Sequence, residues 1–162
     1  MRILGIDPGL HLTGYGVVDF GRTPKLIDGG VIRLSVKSPL PQRLAELDKE
    51  LENLMTEYRP QVCAVEQLYA HYKHPRTAIL MAHARGVILL AAQRNKIAVE
   101  QFSANRIKQS LVGYGHGGKL QMQRAIQRFW HLKSLPQPPD VADALAVALC
   151  CGRQLCVKMR WS

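Results

Sequence analysis

Apolar and polar positions along this chain follow two different periods. Residues Arg2–Asp7 form a short apolar run stopped by Pro8-Gly9, which reads as a strand. Residues 12–20 and 25–34 read as two more strands, joined by a Gly-Arg-Thr-Pro turn at 21–24, so together the three predict an antiparallel meander. The period then changes. Leu44, Leu47, Leu51, Leu54 and Met55 recur at helical spacing within residues 41–58, with acids on the other face, and Pro60 closes the helix. Residues 62–66 (Val-Cys-Ala-Val-Glu) predict a short strand. A long, largely apolar helix over 74–95 is expected to be buried on much of its surface, and another short strand covers 97–100. Ser103 suits the N-cap of a helix through Leu111, a glycine-rich loop spans 113–118, and residues 119–130 predict a further helix. Pro136, Pro138 and Pro139 make a stiff linker, and Asp140 opens a last helix. Strands first, then helix and strand in alternation, predict an α/β fold with a mixed sheet. No break divides the pattern, so residues 1–162 are expected to form a single domain.

Composition narrows the classes. With 47% hydrophobic and 21% charged residues the chain can build a core. Its longest apolar runs, 87–92 and 144–151, fall far short of the ~20 residues of a membrane span. Asp7 and Pro8 interrupt the start before the apolar stretch of an export signal can form. Cys63, Cys150, Cys151 and Cys156 lie in apolar surroundings, two of them adjacent, which suits reduced thiols in the cytosol. A zinc site at Cys151 and Cys156 would have no histidine near it in sequence.

Charge sharpens this picture. The formal net charge is +10, and residues 67–139 carry eleven basic side chains against one acid, Glu100, while the flanking segments are near neutral. Five of the six histidines lie in the same stretch. A polyanionic partner, nucleic acid foremost, is the expected reason.

Four acids sit in apolar company. Asp7 and Glu66 end predicted strands, and Asp140 and Asp143, three apart, share one face of the last helix. Each has an ordinary explanation taken alone: Asp7 before Pro-Gly as a turn former, Glu66 as a strand end, Asp140 and Asp143 as helix-capping acids. Converging, they would repel one another unless cations neutralised them, and carboxylates are the usual protein anchors of Mg²⁺. Two such ions can activate a water and stabilise the leaving oxygen of a phosphodiester. Gly5-Ile-Asp-Pro-Gly9 also suits the phosphate loop of an actin-like or sugar-kinase-like ATPase, but those enzymes need two such domains around a cleft.

These residues also carry a resemblance. GIDPGLHLTGYGVVD at 5–19, AVEQLY at 64–69, ARGV at 84–87, IKQSLVG at 107–113 and DVADALAVAL at 140–149 resemble, in order and spacing, the RuvC family of Holliday-junction resolvases. The resemblance implies a ribonuclease H-like fold, a mixed five-stranded sheet flanked by helices. It places the family's metal-binding acids on Asp7, Glu66, Asp140 and Asp143, its phosphate-binding lysines on Lys108 and Lys119, and its base-stacking aromatic on Tyr69, where the family usually has Phe. The stretch before ARG departs from the family's pattern of Ser, Lys-Leu-Gly and Gln: it reads HPRTAILMAHARG, with Met81, Ala82 and His83, and Arg76 is a candidate for a replacement backbone contact.

The resemblance further implies a cytoplasmic homodimer that binds four-way junction DNA in recombination and repair and works with a RuvA–RuvB branch-migration complex. Each subunit would nick one strand with two Mg²⁺ ions, for which Mn²⁺ can substitute, leaving 5′-phosphate and 3′-hydroxyl ends. Lys119 would stabilise developing charge and count among the catalytic residues. His71, His74 and His83 are not needed as proton carriers, and Trp130 and Trp161 are expected to pack rather than stack on bases. Another ribonuclease H-like nuclease, or a junction-binding protein without catalysis, are the other classes these features allow.

Overall fold

The computed structural model describes residues 1–68, 75–113 and 118–160. Five strands, β1 (Arg2–Asp7), β2 (Leu12–Asp19), β3 (Lys25–Arg33), β4 (Val62–Glu66) and β5 (Ala98–Phe102), form one sheet in the order β3-β2-β1-β4-β5. The first three pair antiparallel as the expected meander, whereas β1 with β4 and β4 with β5 run parallel. Parallel neighbours need long crossovers. The helices α1 (Leu40–Tyr58) and α2 (Pro75–Arg94) lie in those connections, and α3 (Ala104–Val112), α4 (Lys119–Phe129) and α5 (Pro139–Arg160) follow β5. The mixed, helix-flanked sheet is therefore the fold that the motifs imply.

The two-residue period of the strands sorts side chains between two cores. Leu4, Ile6, Cys63 and Val65 pack with Leu47 and Leu51 of α1 and Ile88 of α2. Ile3, Val62 and Ala64 face the other way, onto Ile107, Met122, Ile126 and the α5 residues Leu145 and Leu149. By the same alternation Asp7 and Glu66 emerge on the α5 side of the sheet.

Helix α5 lies unusually close to that sheet. A Cβ at Gly5 would overlap the Ala144 carbonyl oxygen, and one at Gly14 would overlap that of Asp140. Opposite Gly5, Ala144 and Ala148 are fully buried. Small residues on both surfaces let the helix backbone settle onto the strands, and this brings its N-terminus to the ends of β1 and β4.

Several boundaries differ from the sequence reading. Strand β5 runs on to Phe102, because its parallel pairing with β4 continues through Glu66 and Phe102. Helices α1 and α5 begin one residue earlier, at Leu40 and Pro139; proline is tolerated in a first turn, where its missing N–H has no helical partner. Helix α2 corrects a larger expectation. Ala84, Ile88, Ala91 and Ala92 are buried, but Ile79, Leu80 and Leu90 are exposed, since only one side of the helix meets α1 and the sheet. All four cysteines are free thiols. Trp130 packs at the edge of the α5-side core and donates from Nε1 to the Pro24 carbonyl at 3.1 Å. No helix among the described residues is long and apolar enough to cross a membrane.

Candidate active site

The strand register explains how two distant acids meet. Ile6 of β1 pairs in parallel with Val65 of β4, so the next step along both strands sets Asp7 beside Glu66. Asp7 also pairs with Gly14 of β2, the glycine on which the Asp140 backbone rests. Asp140 and Asp143 project from the first turn of α5 toward the same point. All four acids line one cleft of about 750 Å³, together with Lys108 of α3 and Lys119, the first residue of α4. Glu66 and Asp140, 59 and 133 positions beyond Asp7 in sequence, thus share one site with it because of topology alone.

This proximity shapes the electrostatics of the cleft. Burial, and then the charges of Glu66, Asp143 and Asp140, push the Asp7 carboxyl well above its ordinary value of 3.8, with Lys119 pulling the other way. Glu66 is raised by burial and by Asp143, and Lys108 opposes this. Burial also raises Asp143, against which Lys119 and Lys108 act, while Asp140 adds to the rise. The two lysines thus act as counter-charges to the acids, Lys119 on Asp7 and Asp143, Lys108 on Glu66 and Asp143.

The chemistry of this donor set suits a hard divalent cation. It offers carboxylate oxygens only, partly withdrawn from water and mutually repelling, and added positive charge would relieve that repulsion. Among the described residues no group of three or more His, Cys, Asp or Glu side chains already stands close enough together to hold a metal ion. The acids form an open cleft, as a substrate phosphate sharing the site would require.

The walls of the cleft come from residues to which the sequence reading gave no role in the site. The loop between β1 and β2 supplies Pro8, Gly9, Leu10 and His11, and α2 supplies Thr77, Leu80 and Met81. Thr13, fully buried, holds this loop from within: its Oγ1 accepts from the Gly9 N–H at 3.2 Å and donates to the Gly9 carbonyl at 2.5 Å. Buried Gln123 of α4 donates from Nε2 to the Pro136 carbonyl at 2.8 Å, tying the proline linker down just before α5 begins. Thr13, a polar residue in a largely apolar strand, carried a signal in the sequence; Gln123, one of several polar residues of α4, carried none.

The other sequence candidates fall elsewhere. Arg76 is exposed in the first turn of α2, one residue before the cleft-lining Thr77. His83 is exposed, and its ring Nδ1 lies 2.8 Å from the Ile79 carbonyl, outside the cleft lining. Tyr69, His71, His74 and Trp161 lie outside the described residues.

Comparisons with known proteins agree on one family. The family model described as crossover junction endodeoxyribonuclease RuvC matches residues 3–151. The crossover junction endodeoxyribonuclease RuvC of Alkaliphilus metalliredigens is 44% identical over 151 residues, which cover 93% of this chain and 92% of the relative. The solved structure of Thermus thermophilus RuvC superposes with a TM-score of 0.85 at 30% identity, over 96% of both chains. A second structure, T. thermophilus RuvC in complex with Holliday junction substrate, gives a TM-score of 0.85 at 27% identity, again over 96% of both chains.

Proposed function

The chain belongs to the RuvC family of crossover junction endodeoxyribonucleases, and on that premise we propose that it resolves four-way DNA junctions by paired, symmetric nicks. The observation that carries this reading is the meeting of Asp7, Glu66, Asp140 and Asp143 with Lys108 and Lys119 in one open cleft.

Asp7, Glu66, Asp140 and Asp143 would hold two divalent cations, Mg²⁺ or Mn²⁺. Such ions, when bound, supply a water of lowered pKa and positive charge against the leaving oxygen. The chain's own residues do the rest. The four carboxylates would hold those cations at the ends of β1, β4 and α5, against which the reacting phosphate would be placed. Lys119 stabilises negative charge developing on the scissile phosphate, and Lys108 holds the neighbouring backbone as a phosphate contact. In-line attack by water on phosphorus breaks the bond to the 3′ oxygen, giving 5′-phosphate and 3′-hydroxyl ends. Tyr69 stacks on an unpaired base at the junction core, and Arg76 adds a backbone contact.

A homodimer supplies two such clefts related by a twofold axis, and this matches the symmetry of paired nicks. The whole of residues 1–162 serves as one nuclease domain, acting in the cytoplasm beside a RuvA–RuvB branch-migration complex.

The test is a synthetic four-way junction incubated with the protein and Mg²⁺. Two nicks at symmetric positions, resealable by ligase, are expected. Cutting of RNA–DNA hybrids alone, or tight binding with no cut, would overturn the proposal.

A further inference from the structure

Arg43 is a cation outside the basic 67–139 segment, yet it lines the same cleft as the four acids. It stands in the first turns of α1, the helix on the opposite face of the sheet from α5. Its guanidinium donates to the carbonyl oxygen of Leu10, and the residue is half-buried in the wall, its Nε buried without a hydrogen-bond partner.

The loop it reaches begins directly after Asp7. Three ties hold that loop. Gly9 is held by Thr13, the His11 carbonyl accepts from the Leu34 N–H at 3.1 Å, and the Leu10 carbonyl accepts from Arg43. The first two come from β2 and from the end of β3, inside the meander itself. Arg43 alone of the three links the loop to a helix. Arg43 reaches the loop through the Leu10 backbone carbonyl and not through Asp7 itself, so its contribution is mechanical.

We infer that Arg43 is a positioning residue: by holding the Leu10 carbonyl from α1 it fixes the cleft wall next to Asp7, and with it the aim of the Asp7 carboxylate. The inference rests on the reading above that Asp7 serves in cutting. A small displacement of a reacting group costs rate steeply while leaving more distant contacts intact. Phosphate binding through Lys108 and the basic segment does not depend on this wall.

The experiment compares Arg43→Met, which keeps the apolar stem and removes the donors, with Arg43→Lys, which restores one. Thermal midpoint, junction affinity without divalent cation, single-turnover cutting against Mg²⁺ concentration, and calorimetric binding of Mn²⁺ are measured for both and for the parent. Arg43→Met is expected to lower the single-turnover rate about tenfold and raise the Mg²⁺ needed for half the maximal rate, with affinity for the junction within about twofold. Arg43→Lys should recover most of that rate. Parental cutting by Arg43→Met overturns the inference. So does a loss of junction affinity at unchanged rate, which would make Arg43 a DNA contact. So does equal thermal destabilisation of both variants with rates falling only as the folded fraction falls. If the parent itself does not cut, the proposed function fails, and Arg43 is still judged by calorimetry: unchanged Mn²⁺ affinity in Arg43→Met rejects its role.

Discussion

Gly14 of β2 and Asp140 of α5 are in backbone contact, so close that a Cβ at position 14 would overlap the Asp140 carbonyl oxygen. Gly14 is also the strand partner of Asp7. One missing methyl group therefore sets the separation of two acids that lie 133 positions apart in sequence.

Gly14→Ala should push the start of α5 off the sheet. The overlap is with backbone, which cannot swing aside as a side chain can, so a loss of about 1–3 kcal/mol is expected from overpacking. Urea titration measures it, and junction cutting should fall further than the folded fraction alone explains. An unchanged midpoint with full activity would show that α5 is not held by this contact.

Asp7→Asn removes the acid whose ionisation the site most resists. Asp7 is raised well above 3.8 by burial and then by Glu66, Asp143 and Asp140. A carboxyl raised in the folded state stabilises the fold only while protonated. Its favourable contribution is complete below the unfolded value near 4 and disappears as pH rises through the folded-state value. Without divalent cations, Asp7→Asn should therefore be more stable than the parent at neutral pH, and the difference should vanish in acid. Denaturation curves from pH 3 to 8 in chelator give that difference directly. Junction binding should survive and cutting should be lost; parental cutting by the variant would remove Asp7 from the mechanism.

The two lysines separate by role. Lys119, which acts on Asp7 and Asp143, is expected to matter for rate: Lys119→Ala should slow single-turnover cutting by about 10²-fold or more with a small change in affinity. Lys108→Ala should instead weaken binding and reduce the slope of log affinity against log salt by about 1, the signature of one lost phosphate contact. Equal losses of rate and affinity for Lys119→Ala would reduce it to a plain phosphate contact.

Gln123→Leu fills the same space but leaves the Pro136 carbonyl without the donor it has now. An unsatisfied buried acceptor costs about 1–3 kcal/mol, visible in the denaturation midpoint. The linker before α5 should loosen, and the Mg²⁺ concentration needed for half-maximal cutting should rise. A variant as stable and as active as the parent would show that the proline linker holds its path unaided.

The elements were legible wherever a single period ran uninterrupted. The meander, the amphipathic helix of 41–58 with its buried Leu47, Leu51, Leu54 and Met55, and the helix capped by Ser103 appear where the pattern sets them. The Ser103 side chain accepts from the Arg106 N–H as an N-cap should. Helix α2 was misread for a physical reason: an apolar composition says how much surface a helix would hide, but the neighbours decide how much it does hide. Ile79, Leu80 and Leu90 stay exposed because α1 and the sheet cover one side only. Likewise β5 reached Phe102 past polar Glu100 and Gln101, since its ladder with β4 outweighs local polarity there.

The sequence by itself determined which acids were out of place, since charge among apolar neighbours needs a reason, and where the basic excess lies. It also carried the motifs that define the family. Only the tertiary structure decided that these acids meet, because their meeting depends on β1 and β4 lying parallel in register and on α5 resting on Gly5 and Gly14. Tertiary structure also decided that Arg43, Thr13 and Gln123 belong to the site. Each acts through hydrogen bonds to a backbone carbonyl or amide brought near by folding, and such bonds leave no periodic trace along the chain.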